Sequence, residues 1–330
     1  MRAAPIVPQG RTVRRAVLLL CFCLSAGGLW PAGQAARAGE ATSPVVVPGA
    51  EMLDVTAAGS GGIYRLMIWQ PSTPPPPHGY PVVYVTDGNA LFGTVRDAID
   101  IRSRVPRTSG LAPAVVVAIG YPGEAPYDIR RRAYDLTPPV EVASMPPRPN
   151  GKPWPPLGGA DAFLAFIETR VKPLVADLVP VDPTREVLMG HSFGGLFALY
   201  VLFDRPGAFD AYVALSPSIW FNERMIADAA ARFLARPSAE RGDAALFLSV
   251  GALEQELTGV EEDHPQAEIR RTWKAANRMV DNTREMAALL QNIEGLDVSF
   301  VEFPGEEHTS VIPASISRGL SFALPVETAR

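Results

Sequence analysis

The stretch Glu186-Val-Leu-Met-Gly190-His-Ser192-Phe-Gly194-Gly195-Leu-Phe-Ala-Leu-Tyr200-Val-Leu-Phe203 decides how the chain is read. Residues 186–189 are a short, mainly apolar run of the kind that is buried on both faces in a parallel sheet. Residues 196–203 continue as an apolar helical run. Between them lies a glycine-rich turn carrying a serine, so the order is strand, tight turn, helix, which is the setting of a nucleophile elbow. The glycines have a physical role, because the serine occupies a strained turn and side chains at 190 and 194 would collide with the neighbouring strand and helix. Ser192 is the candidate nucleophile.

Further strand-like runs lie on both sides of this one, at residues 82–85, 114–119, 211–215, 245–250 and 298–301. Residues 51–56 and 63–70 are expected to form an opening antiparallel hairpin turned by Gly-Ser-Gly-Gly at 59–62. Helical patterns alternate with the later strands, which predicts an α/β fold: a mostly parallel central sheet, an antiparallel N-terminal hairpin, and helices on both faces. Apolar residues spaced at three and four mark helices over 160–178, where Pro173 should introduce a kink, and over 273–293. Two segments fall outside this pattern. Residues 121–159 form a long Pro-rich connection, expected to be a pocket wall, and residues 254–270, with Glu261-Glu262-Asp263-His264, are expected to be a solvated excursion.

The 330 residues are 47% hydrophobic and 20% charged, enough apolar material for a large core in one domain. The formal charge is −5, and the first 38 residues hold arginines and no acid, so the remainder is more acidic still. Nucleic acid is excluded as a partner, since phosphate binding draws on clustered Lys and Arg. Residues 1–38 are expected to be a cleaved export signal. Arg2, Arg11, Arg14 and Arg15 make a basic start, residues 16–30 an apolar stretch, and Ala36-Arg37-Ala38 a cleavage site. A single domain over 39–330, periplasmic or secreted, would follow, with no stable membrane span after cleavage. Cys21 and Cys23 both lie in the signal, so the mature chain has no thiol, no disulfide and no Cys-ligated metal. No cofactor or metal is expected.

A serine hydroxyl needs a base, usually histidine. Of four histidines, His78 lies in a polyproline run, His191 in the elbow and His264 in the acidic excursion. His308 follows the last predicted strand and precedes a closing helix, where an α/β-hydrolase carries its base. Chain order then asks for an acid between the two, just after the strand before the last one. Glu254 fits, with Glu256 as its near rival and Glu306 or Glu307 as alternatives. The oxyanion hole is expected from the backbone, one N–H from Phe193 and another from the Gly88-Asn89 turn after the third strand.

With those residues in place the chain resembles a known family, the putative-esterase (esterase D) branch of the α/β-hydrolases, and within it the periplasmic siderophore esterases that open catecholate trilactones such as enterobactin. The resemblance rests on residues 83–89 (Val-Tyr-Val-Thr-Asp-Gly-Asn), residues 132–138 (Arg-Ala-Tyr-Asp-Leu-Thr-Pro), the elbow, Ser216-Pro217-Ser218-Ile219-Trp220, Gly251 with Glu254, and Glu307-His308-Thr309. It implies acyl-enzyme hydrolysis of a small-molecule ester by Ser192 and His308. Some members are said to work with a Ser-His pair alone, which bears on Glu254. By the same analogy Arg132 and Trp220 would line the pocket and meet a bulky, anionic aromatic acyl group; the bland alternatives are an Arg132–Asp135 ion pair and a packing role for the indole. Competing functions on the same scaffold are an exported acyltransferase and a non-catalytic binding protein. Nothing in the sequence gives the oligomeric state.

Overall fold

The computed structural model describes residues 43–58, 61–141 and 144–326. The chain divides into Met1–Val46 and Val47–Arg330. Of the first unit only residues 43–46 are described, with no regular element; the expected export segment and both cysteines lie outside the described residues. In the second unit the described residues form one eight-stranded sheet in the order β1-β2-β4-β3-β5-β6-β7-β8. The strands are β1 (Ala50–Thr56), β2 (Ile63–Trp69), β3 (Tyr80–Val85), β4 (Val115–Gly120), β5 (Val181–His191), β6 (Ala211–Leu215), β7 (Ala244–Gly251) and β8 (Leu296–Phe303). β1 pairs antiparallel with β2, and β2 with β4, while β3 through β8 pair in parallel. This is the α/β-hydrolase arrangement expected from the alternating pattern.

The parallel strands read as continuous apolar runs because both of their faces are covered. On β3, Tyr84 points into one core layer and Val83 and Val85 into the other; on β4, Val117 and Val116 divide in the same way. Helices Gly88–Ser103 and Val311–Ala323 cover one face through Leu91, Val95, Ile99, Ile316 and Leu320. Helix Phe193–Asp204 lies against the other. It is buried on nearly every side, as an all-apolar helix must be.

Where a kink was expected at Pro173, the helix is widened just before the proline. Ala160–Phe166 passes through a π turn, Ile167–Val171, with the Lys172 N–H bonded to the Ile167 carbonyl, before Lys172–Leu178 resumes. The expected single helix over 273–293 is instead two, Ala267–Asn277 and Met279–Leu290, broken at Arg278 with φ 46°. A second left-handed feature opens helix Phe221–Ala235, where Asn222, Glu223 and Arg224 have φ of 45°, 55° and 65°. Such residues cost about 1–2 kcal/mol each. They persist because Asn222 Oδ1 accepts the Ser144 N–H at 2.7 Å, Glu223 accepts the Ser144 hydroxyl at 2.6 Å, and Arg224 pairs with Glu285 at 2.5 Å.

The long connection contains a short helix, Ile129–Asp135, N-capped by the Asp128 carboxylate. Its last residue, Asp135, is buried and accepts the Tyr121 hydroxyl at 3.1 Å. Burial pushes its carboxyl up to about 6, against the opposing pull of the Tyr64 and Tyr121 hydroxyls. A folded-state value above the unfolded one means that this stability is fully present below the ordinary carboxylate range and is lost as pH rises through about 6. Asp135→Asn keeps an acceptor for tyrosine and cannot ionise. Urea unfolding should find the variant more stable than the wild type at pH 8, by on the order of 3 kcal/mol, and nearly equal to it at pH 4. An equal difference at both pH values would remove ionisation as the cause.

Candidate active site

Ser192 sits between β5 and helix Phe193–Asp204 with φ 61° and ψ −114°. This left-handed turn is locked from outside: the Ser192 N–H donates to the Leu215 carbonyl at 2.9 Å, and its own carbonyl accepts the Ser218 N–H at 3.1 Å. The flanking glycines are sterically required. A Cβ on Gly190 would stand 2.4 Å from the Gly194 carbonyl carbon, and one on Gly194 would stand 2.3 Å from Thr86 Oγ1. Phe193 begins the helix, so its N–H is among the first amides that have no intrahelical acceptor.

His308 lies in the loop between β8 and helix Val311–Ala323, and Glu254 in the loop after β7. The two loops are tied by Leu253 N–H to the Glu306 carbonyl and Ala252 N–H to the Phe303 carbonyl, both 2.9 Å. Glu254 is buried with both carboxylate oxygens engaged. Oε1 accepts the Ser216 hydroxyl and the Gly251 N–H, each at 2.6 Å, and Oε2 is 2.6 Å from His308 Nδ1. A carboxylate only accepts, so Nδ1 donates and Nε2 is left as the basic nitrogen. The rivals are used differently: Glu307 accepts the Thr309 and Ser310 amides at 3.0 and 2.7 Å, holding the histidine loop. Ser192 and His308 line one cavity of about 500 Å³. They are not hydrogen-bonded to each other there; Ser192 Oγ stands 3.3 Å from Ser218 Oγ. The buried His191 ring packs 4.5 Å from that of His308. Burial, then the charges of His308 and Arg132, hold it well below its ordinary value and so neutral.

Arg132 and Trp220 both line this cavity. The expected alternative for Arg132 is corrected in its partner: the guanidinium forms two 2.8 Å bonds with the buried Asp87, not with Asp135. Trp220 belongs to an aromatic wall, with ring centroids 5.9 Å from Trp154 and Phe193 and 5.3 Å from Trp273. The excursion is mostly exposed, as expected, but it is neither irregular nor turned wholly to solvent. It contains a helix, Gly259–Glu262, with a Thr258/Glu261 capping box, and Glu261 and Arg270 face the cavity. Gly88 and Asn89 stand after β3 but do not line the cavity. Gly88 packs on β4, and the Asn89 carboxamide holds the Tyr121 backbone at 2.8 and 3.0 Å.

Sequence reasoning missed Ser216 and Ser218 as side chains of the site, along with Trp154, Trp273, Arg270 and Lys274. A signal was there for three of them: 270, 273 and 274 recur at three and four with polar or aromatic residues, a stripe unsuited to a core.

A model of the putative esterase family matches residues 60–288. The ferri-bacillibactin esterase BesA of Bacillus subtilis is 38% identical over 288 residues, covering 87% of this chain and 93% of that protein. The siderophore triacetylfusarinine C esterase of Aspergillus fumigatus is 41% identical over 246 residues, covering 73% and 80%. The crystal structure of the BES protein from Bacillus cereus superposes with a TM-score of 0.77 at 34% identity, covering 87% of this chain and all of that one. With the elbow, the sheet order and these matches, the chain belongs to the putative esterase family and is a carboxylic ester hydrolase.

Proposed function

We propose that the chain is a serine esterase that hydrolyses siderophore-type esters through an acyl-enzyme. The observation that carries this reading is the 2.6 Å contact of buried Glu254 with His308, in the cavity onto which Ser192 opens. His308 Nε2 takes the Ser192 proton as Oγ attacks the ester carbonyl, and then gives it to the leaving alkoxide. Glu254 holds the tautomer and stabilises the imidazolium. The Phe193 N–H, at the start of its helix and lining the same cavity as Ser192, stabilises the oxyanion. Water repeats the sequence on the acyl-enzyme.

The substrate class rests on the relatives named for ferri-bacillibactin and triacetylfusarinine C and on the cavity walls. Three tryptophans and four cations, Arg132, Arg148, Arg270 and Lys274, face it against the carboxylates Glu254 and Glu261. The wall is locally basic on an acidic protein, which suits an anionic, flat ligand. We infer also that the enzyme is exported, from the pattern of residues 1–38. The test is kcat/KM for trilactone siderophores, feruloyl esters and acetate esters, with and without alcohol acceptors, in wild type, Arg132→Ala and Trp220→Ala. The aromatic substrates should lose about 1–3 kcal/mol more than acetate in each variant. A uniform loss would make both residues structural, and acyl transfer to alcohol outpacing hydrolysis would make the enzyme a transferase.

A further inference from the structure

Helix Ile129–Asp135 is a partition with a cavity on each side. Ile129, Arg132 and Ala133 face the serine cavity, while Arg130, Arg131, Tyr134 and Asp135 face a second one of about 670 Å³. The division follows the three-four spacing of a helix. Across the second cavity stand Tyr64 of β2 and residues of helix Ala160–Phe166 and its π turn, and among the described residues none lines both cavities.

The floor of the second cavity is flat and apolar. Tyr64 stacks on Phe166 with ring centroids 4.4 Å apart and 24° between the planes, both residues buried. Tyr134 is 44% exposed, and its ring is seated against Gly159, where a Cβ would stand 2.4 Å from Cε1. Its hydroxyl has no hydrogen bond among the described residues. Three guanidinium groups face the cavity against one carboxylate, that of Asp135. Arg131 is committed: it donates to the Ile63 carbonyl at 2.6 Å and lies over the rings of Tyr64 and Tyr121. Arg130 and Arg170 are not. They come from different elements, are exposed to solvent, and have no ion pair, side-chain hydrogen bond or ring contact among the described residues. Two unpartnered guanidinium groups and a free phenol hydroxyl above a stacked aromatic floor suit a carboxylate carried on a flat apolar body, the anion taking charge-assisted hydrogen bonds and the body lying on the rings.

We propose that this cavity is a second, effector site, which binds an organic carboxylate with a flat apolar body and acts on the serine site through the helix that the two cavities share. The effect rests on the esterase reading, whereas the binding does not. A ligand held between Arg130 and Arg170 ties helix Ile129–Asp135 to the π turn Ile167–Val171. On the opposite side of that helix, Arg132 makes its two bonds to Asp87 in the wall of the serine cavity. Tethering the helix therefore restrains the wall past which substrate enters and product leaves, and turnover slows.

The test uses 4-benzoylbenzoate, whose ketone cross-links to nearby C–H bonds under ultraviolet light, with 4-benzoylbenzamide as its uncharged match. Peptide mass spectrometry of the irradiated wild type should place the acid on residues 130–134 and 162–170 at about tenfold the yield of the amide, and Arg130→Gln with Arg170→Gln should reduce it to the yield of the amide. In the dark, saturating acid should lower kcat for p-nitrophenyl butyrate by about twofold or more in the wild type. The double variant, with the wild-type kcat when no acid is present, should not respond. Saturating ester sets aside competition inside the serine cavity. Cross-links confined to the serine cavity, or equal from acid and amide, overturn the site. Cross-links that need both arginines, with kcat unchanged, overturn the coupling. Specific cross-links in a protein that hydrolyses no ester support the site and count against the esterase reading instead.

Discussion

Replacing Ser192 with alanine is expected to lower kcat by about four to six orders of magnitude and to abolish covalent labelling by a fluorophosphonate probe, while ligand binding in the cavity persists. The size follows from the mechanism. Without Oγ there is no acyl-enzyme, and only water oriented by the oxyanion donors remains. The fold should be indifferent to the change, since alanine inherits the same left-handed φ and the Ser192 backbone bonds to β6 and Ser218 are untouched. Intact-protein mass spectrometry after probe treatment reads the outcome directly: one adduct on the wild type, none on the variant. An adduct on the variant would move the nucleophile elsewhere, with Ser218, 3.3 Å away, as the first place to look.

The second large effect belongs to Glu254. Glu254→Gln should reduce kcat by about a hundredfold to ten-thousandfold with little change in KM, because the amide no longer stabilises a positive imidazole and does not enforce the Nδ1–H tautomer. Glu254→Ala should cost stability as well. The Ser216 hydroxyl and the Gly251 N–H both point at Oε1, and an unpaired buried polar group costs about 1–3 kcal/mol. Glu256→Gln should behave as wild type. Near-normal kcat in Glu254→Gln would describe a Ser-His dyad, and Glu254 would then be a structural brace between β6, β7 and the histidine loop.

The sequence made the sheet legible because buried parallel strands leave a plain trace: runs such as 82–85 and 187–189 are apolar, and only their ends differ from the observed strands. The elbow was legible for a different reason, since its glycines, serine and flanking strand and helix follow one another within a short stretch of chain. The Asp87–Arg132 pair was not legible. It joins residues 45 apart through a helix hidden inside the Pro-rich connection, and local reasoning offered the nearer Asp135. The break at Arg278 left no trace either, because a left-handed arginine has no glycine to announce it. Residues 259–269 are largely solvated, as their charge suggests, but charge alone left no sign that Glu261 and Arg270 also face the cavity.

The left-handed turn at Asn222, Glu223 and Arg224 divides the site into two mechanical halves. Ser192, Glu254 and His308 follow the ends of the parallel strands β5, β7 and β8, whose backbones are held in the sheet ladder. The wall carrying Trp220 is anchored next to a turn that stores several kcal/mol and is held by Ser144 and Glu285. Stored strain lowers the free energy of local opening. Amide exchange will therefore be fastest around residues 144 and 222–224 and slowest in β5 and β7, so that the wall adapts to ligands of different girth while the reacting groups keep their alignment.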